Sequence, residues 1–185
     1  MPTHPELPPI AQFLLAILVA VAAGYDIRFR RIPNKLVLVG LVAGLAFNGL
    51  AFGWGGLLTA AQGLGLGFAL YFPLYLLRAR GAGDVKLLAA CGSIIGPGNV
   101  LWLCLLTAVL GGVVALLMVV LKGRLRQTTF NVAWILRDLA RFQAPHKSSE
   151  ELDVNSTKAM RLPHGALIAL GSVALIVVVQ MHWGY

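Results

Sequence analysis

Six runs of apolar residues predict the helices of this chain. The runs cover residues 10–25, 36–52, 57–77, 85–95, 100–121 and 162–183. Between them lie turn-forming groups such as Gly-Trp-Gly-Gly at 53–56 and Gly-Pro-Gly-Asn at 96–99. A helix needs about 20 apolar residues to cross a bilayer. The pattern therefore predicts an all-α, polytopic membrane protein, a bundle of six transmembrane helices. The run at 85–95 is short for a crossing and would need neighbouring helices around it.

The composition agrees with a membrane protein and leaves little room for a large soluble domain. The 185 residues are 58% hydrophobic and 12% charged, whereas a typical soluble domain is about 25% charged. We therefore interpret residues 1–185 as a single membrane domain. No Lys or Arg precedes the first run, so we expect a retained helix there and not a cleavable secretory signal.

The basic residues predict which side of the membrane each connection faces. All 15 Lys and Arg residues lie at 28–35, 78–86 and 122–161, in or beside the connections after the first, third and fifth runs. The positive-inside rule makes these connections cytoplasmic and both termini periplasmic. Topology thus explains the net charge of +8, and we expect a lipid bilayer and no nucleic acid as partner.

The longest connection, residues 122–161, contains a segment with helical periodicity. At 131–142, apolar side chains fall on one helical face and polar side chains on the other. We interpret this segment as a short amphipathic helix on the inner leaflet. A helix packed on the ends of the bundle explains the pattern equally well.

Two of the seven acidic residues lie at the predicted cytoplasmic edge of the membrane. Asp26 closes the first predicted helix and Asp84 opens the fourth. An acid at this depth is costly unless it is paired, hydrated or used. Two carboxylates brought to one depth by separate helices could act as general acid and general base on one water. They are the candidate catalytic residues.

Each acid also has a purely structural explanation. Asp84 could be the N-cap of its helix, and Asp26 could pair with the arginines at 28–31. Helix dipoles would favour a protonated Asp26 at the C-terminus of the first helix and an ionised Asp84 at the N-terminus of the fourth. The arginines oppose this assignment for Asp26, so the sequence leaves open which acid carries the proton.

Gly81, Gly83 and Lys86 surround Asp84 in sequence and are candidate substrate-binding residues. Glycines there would allow a substrate backbone to approach the carboxylate. His164 is interpreted as an interfacial side chain. The two cysteines form no CxxC pair, and the serines in the apolar runs have no histidine near them in sequence. We therefore expect an acid-base mechanism with no metal and no cofactor.

Three segments resemble motifs of the type IV prepilin peptidases, a family of GxGD membrane aspartyl proteases. Tyr-Asp-Ile-Arg-Phe-Arg-Arg-Ile-Pro-Asn at 25–34 resembles the first aspartate motif of that family. Gly-Ala-Gly-Asp-Val-Lys-Leu at 81–87 resembles the GxGD segment, and Leu-Pro-His-Gly-Ala at 162–166 is similar to the Pro-x-Gly segment that opens the last helix.

The resemblance implies an aspartyl endopeptidase of the bacterial inner membrane that cleaves leader peptides on the cytoplasmic side, with Asp26 and Asp84 as the catalytic pair. It implies prepilin or pseudopilin precursors as substrates and pilus assembly machinery as a candidate partner. Larger members carry an N-terminal methyltransferase region with a cysteine-based metal motif, which this chain lacks. It therefore resembles the minimal, peptidase-only form of the tight-adherence (Flp) pilus type.

Two other functions would suit a membrane bundle with two acids. A proton-coupled transporter could use the acids as a relay, but it predicts acids near mid-membrane and often inverted repeats. Here both acids lie at one predicted edge and no repeat is visible. A non-catalytic assembly subunit of a pilus or secretion machine would need neither acid to react.

Overall fold

Helices are the regular secondary structure of the described part of the chain. The computed structural model of the protein describes residues 7–77, 80–121 and 164–183. Within these ranges there is no strand, and four helices follow one another: α1 (Pro9–Phe29), α2 (Asn34–Leu76), α3 (Ala82–Leu121) and α4 (His164–Trp183). All four are long and apolar enough to cross a membrane. This agrees with the predicted all-α membrane protein.

Helices α2 and α3 are each interrupted once, by a glycine. The backbone leaves the helical region at Gly53 (φ 61°, ψ −144°) and at Gly96 (φ 77°, ψ 174°). Glycine adopts such positive φ angles without the strain that a side chain would cause. Both residues begin the glycine-rich groups that the sequence pattern marks as turns. The described residues thus contain four helices, two of them interrupted, and the count of six crossings stays a prediction.

The chain reverses direction at the interruption in α2. A Cβ atom placed on Gly49 would lie 3.2 Å from the side chain of Leu57, and one on Gly56 would meet the carbonyl oxygen of Asn48. Residues eight apart in a straight helix are separated by about 12 Å along the axis. These contacts therefore require the two segments of α2 to fold back on each other.

The first half of α3 forms the centre of the bundle. Every residue from 87 to 96 is buried, whereas Lys86 is exposed. This stretch covers most of the apolar run at 85–95 that is short for a membrane crossing. A helix surrounded by protein can be shorter than the lipid is thick, because neighbouring helices and not lipid surround its polar backbone.

Small residues bring α2 and α3 into close contact. A Cβ atom on Gly63 or on Gly92 would meet the backbone carbonyl group of the other glycine, and one on Gly67 would lie 2.6 Å from the carbonyl oxygen of Leu88. Backbones this close leave no space for a larger side chain. The glycines therefore hold α3, with Asp84 at its start, directly against α2.

Asn48 supplies a hydrogen-bond donor that Pro97 lacks. In a continuous helix the N–H of residue 97 would donate to the carbonyl of Ser93, but proline has no N–H. The buried side-chain amide of Asn48 instead donates to Ser93 at 3.0 Å and to the carbonyl of Ile94 at 3.2 Å. Asn48 thereby joins α2 to the interruption in α3.

We expect Asn48→Leu to lower the free energy of unfolding. Leucine would remove the amide donor from two buried carbonyl groups, and each unsatisfied group costs about 1–3 kcal/mol. Thermal unfolding of the purified protein in detergent measures the effect. Gln62→Leu, which changes an exposed amide on the same helix, is the matched control and should unfold at the wild-type temperature. Equal unfolding temperatures for the two variants would contradict the role of Asn48.

Helix α4 runs antiparallel to α1. Near the end of α4, Nε2 of Gln180 donates to Oε1 of Gln12, which lies near the start of α1, at 3.1 Å. At the start of α4, Gly165 contacts Asp26 near the end of α1. The end of α1 and the start of α4 therefore lie at the same end of the bundle.

Several predictions from the sequence lie outside the described residues. These are the long connection at 122–161 with its amphipathic segment at 131–142, and the positions of both chain termini. They stay predictions.

Candidate active site

Asp26 lies in the last turn of α1, and its side chain accepts a hydrogen bond from α4. Arg30 closes α1 in the left-handed conformation (φ 52°, ψ 34°), and its N–H donates to the Asp26 carbonyl at 2.8 Å. The buried Oδ2 atom of Asp26 accepts the N–H of Gly165 at 2.7 Å. Gly165 is the second residue of α4, so Asp26 satisfies one of the free amides at the N-terminus of that helix.

Asp84 lies in the first turn of α3, and its buried carboxylate points back to the residue before the helix. Its Oδ2 atom accepts the N–H of Gly81 at 3.3 Å. Gly81 directly precedes the first helical residue, and Asp84 is the third helical residue. In a capping box, an acidic side chain at the third position accepts the N–H of the residue before the helix, as Asp84 does here. Asp84 therefore caps its helix from the third helical position and is not the N-cap residue itself.

The structure brings the two acids together at one end of the bundle. Asp26 is 9% exposed and Asp84 is 8% exposed. The two carboxylates are close enough for their charges to interact, and the guanidinium of Arg80 is within the same range of Asp84. Two separate helices thus place two buried carboxylates at the same end of the bundle. Their catalytic role stays a prediction.

The sequence suggests that the helix dipoles favour a protonated Asp26 and an ionised Asp84, but in the structure the dipoles do not distinguish the two acids. That argument considers only the C-terminus of α1 at Asp26. In the structure the Asp26 side chain also lies at the N-terminus of α4, where the partial positive charge favours a negative group. Both carboxylates accept an amide at a helix N-terminus, so these dipoles do not assign the acid and the base.

The three candidate substrate-binding residues have different surroundings. Gly81 is half-buried, and its N–H donates to Oδ2 of Asp84. A Cβ atom on Gly83 would lie 3.4 Å from the Cβ of Ile32, which is an ordinary van der Waals contact. Lys86 is exposed and donates to Oδ1 of Asn34 at 3.1 Å. The structure thus connects Gly81 to the carboxylate of Asp84 and Lys86 to the start of α2.

The comparison with known families decides the class of protein. The sequence profile of the type IV leader peptidase family matches residues 13–116, more than half of the chain, and this range includes Asp26 and Asp84. The chain belongs to the type IV leader peptidase family. The membership confirms the resemblance found in the sequence and indicates a peptidase with prepilins as implied substrates. No curated protein and no solved structure matches the chain.

The family match ends before α4. The hydrogen bond from Gly165 to Asp26, which links positions 139 residues apart, is therefore an observation of the structure alone. It places the start of α4 beside Asp26 in this leader peptidase.

Sequence reasoning missed the roles of Arg80 and His164. From the sequence, the charge of Arg80 is explained by membrane topology, and His164 is interpreted as an interfacial side chain. In the structure, Nη1 of Arg80 contacts both ring nitrogens of His164, and its guanidinium carbon lies 5.4 Å from the ring centroid of Tyr71, a cation–π geometry. The signal that could have found them is their position, each directly before a glycine of a predicted motif.

Among the described residues of this leader peptidase, other nucleophiles and metal ligands are arranged less favourably for catalysis. Ser93 is buried in the centre of the bundle, and its hydroxyl donates to the carbonyl of Ala90 at 2.8 Å. Across the described ranges, no group of three or more His, Cys, Asp or Glu side chains could hold a metal ion. The paired acids are the best arrangement for chemistry in the part of the chain that is described.

Proposed function

We propose that the protein is an aspartyl endopeptidase of the bacterial inner membrane that removes the leader peptide from type IV pilin-like precursors of the Flp type. One observation carries the proposal. Asp26 and Asp84, on separate helices of a chain of the leader peptidase family, are buried at one end of the bundle within range of each other's charge.

The proposed reaction uses the two carboxyl groups in complementary protonation states. Two adjacent carboxylates repel each other, which favours a state in which one keeps a proton. The ionised acid takes a proton from a water molecule, and the oxygen of that water attacks the scissile carbonyl carbon. The protonated acid donates to the carbonyl oxygen or to the leaving amine, and the scissile C–N bond breaks to release the carboxyl and amine products. No covalent intermediate and no cofactor is required.

The amides at the two acids support this chemistry by orienting the carboxyl groups. Each amide is bonded to the Oδ2 atom of its acid. We assign the water and the substrate to the opposite oxygen, Oδ1, of each acid. A carboxyl group held by a backbone amide has little freedom to rotate, so less reorganisation is needed when the substrate binds.

Co-expression with Flp-type prepilins tests the proposed activity. Mass spectrometry of the pilin N-termini should show the leader removed only in cells that contain this chain. Cells with the same prepilin and an empty vector are the control. If every prepilin tested keeps its leader in cells that contain this chain, the result would contradict the proposal and favour the assembly-subunit alternative.

The proposed cleavage side requires the acids to face the cytoplasm, and the predicted six crossings would then place both termini in the periplasm. Arg30, Arg80 and Lys86 lie near the same end of the bundle as the acids, which supports a cytoplasmic orientation by the positive-inside rule. We expect tags at either terminus to be periplasmic and labels within 122–161 to be cytoplasmic. Reaction of single cysteines with a membrane-impermeant thiol reagent measures this. A cytoplasmic C-terminus together with a periplasmic N-terminus would require an odd number of crossings and would contradict the predicted six.

A further inference from the structure

The two acids are held in the same way by two different parts of the chain. The N–H of Gly81 donates to Asp84, and the N–H of Gly165 donates to Asp26. One glycine lies just before α3, and the other is the second residue of α4. The position of each carboxyl group therefore depends on the position of one helix N-terminus.

The residues directly before these glycines, Arg80 and His164, contact each other. The guanidinium of Arg80 contacts both ring nitrogens of His164, which is 84 residues away. Arg80 also lies over the ring of Tyr71 on α2, and that residue is 3% exposed. Both members of the contact are only partly exposed, so water competes less with it than at an open surface. The contact joins the two glycine-held acids through one side-chain pair.

We propose that Arg80 is a positioning residue of the leader peptidase. Through His164 it holds the start of α4 in register with the start of α3, and thereby sets the separation of the two carboxyl groups. This inference rests on the proposed function of those groups. A shift of α4 relative to α3 would move Asp26 and leave Asp84 in place. A misplacement of about 1 Å in an active site can cost about 100-fold in rate.

The chemistry of the contact defines which variants should preserve it. Arginine offers only donors, so a ring nitrogen of a neutral His164 must accept. Glutamine at position 164 keeps an acceptor, whereas leucine has none. Methionine at position 80 keeps much of the length of the side chain but has neither donor nor charge. Lysine keeps the charge but not the planar group that lies over Tyr71.

Kinetics of leader cleavage by the purified full chain test the inference. Arg80→Met and His164→Leu should each lower kcat by about 10- to 100-fold and change KM by less than about twofold. His164→Gln should recover most of the activity. The double variant should lose no more than either single variant, because both remove the same contact.

Arg28→Met is the matched control. Its guanidinium also lies over an aromatic ring, 5.6 Å from the centroid of Phe29, but at an exposed position on α1. We expect wild-type kinetics for this variant. Losses that multiply in the Arg80→Met, His164→Leu double variant would overturn the inference. An increased KM at unchanged kcat in Arg80→Met would also overturn it, because Arg80 would then be a substrate-binding residue.

A distance measurement tests the same inference without any substrate. Spin labels at the exposed positions Ala82 and Leu170, with Cys91 and Cys104 replaced by alanine, report the spacing of α3 and α4. Arg80→Met should broaden the distribution of distances, and His164→Gln should not. An unchanged distribution in Arg80→Met would overturn the inference even if the chain cleaves prepilins. A broadened distribution in a chain that cleaves no prepilin would instead contradict the proposed function alone.

Discussion

Asp26→Asn and Asp84→Asn are each expected to abolish detectable leader cleavage while the protein still accumulates in the membrane. Asparagine has nearly the shape of aspartate, and its carbonyl oxygen can still accept the N–H of Gly165 or of Gly81. It cannot take a proton from water or donate one as an acid. Loss of one acid-base group typically costs about 10²- to 10⁴-fold in rate, and in this pair the remaining acid has no partner.

The measurement is kcat for a purified prepilin, with accumulation and thermal unfolding determined for the same samples. The alanine variants separate the two roles of each acid, because alanine removes both the proton chemistry and the hydrogen bond to the helix N-terminus. Alanine should therefore also lower the unfolding temperature. Near-wild-type cleavage by either asparagine variant would disprove the aspartyl mechanism. Asparagine variants that fail to accumulate would indicate a mainly structural role.

Gly63→Val is expected to prevent normal folding, whereas Gly65→Val, two residues away, should be tolerated. A Cβ atom on Gly63 would meet the carbonyl group of Gly92 on α3, but one on Gly65 would have no atom within 4 Å. The obstacle at Gly63 is backbone, which cannot move aside as a flexible side chain can. We expect a loss of about 3 kcal/mol or more, at the upper end of the usual cost of overpacking.

Accumulation in the membrane and thermal unfolding in detergent measure this difference. The two substitutions add the same side chain to the same helix, so helix propensity and hydrophobicity cancel in the comparison. Gly63→Val should also lose leader cleavage, because α3 carries Asp84 and its packing on α2 would be displaced. A Gly63→Val protein that unfolds at the same temperature as Gly65→Val would contradict the close packing of α2 and α3.

Local features of this protein could be predicted from its sequence. Apolar runs indicate the helical segments, because a run long enough to cross lipid must satisfy its own backbone hydrogen bonds. The glycine-rich groups at 53–56 and 96–99 mark the two interruptions, since a backbone with positive φ favours glycine. Asp26 and Asp84 stand out because acids are rare in apolar sequence. Each of these signals lies within a few residues of the feature that it predicts.

Other features depended on contacts between distant parts of the chain, and only the tertiary structure decided them. The sequence suggests that the dipole of α1 acts on Asp26, but the bond from Gly165 shows that the N-terminus of α4 acts there too. In the sequence, Arg80 and His164 have the pattern of ordinary residues at the edge of the membrane, and only the fold shows that they contact each other. Likewise, the missing donor at Pro97 is visible in the sequence, but its replacement by Asn48 is not. Helix periodicity and capping are local properties, whereas the pairing of buried polar groups depends on which helix faces pack together.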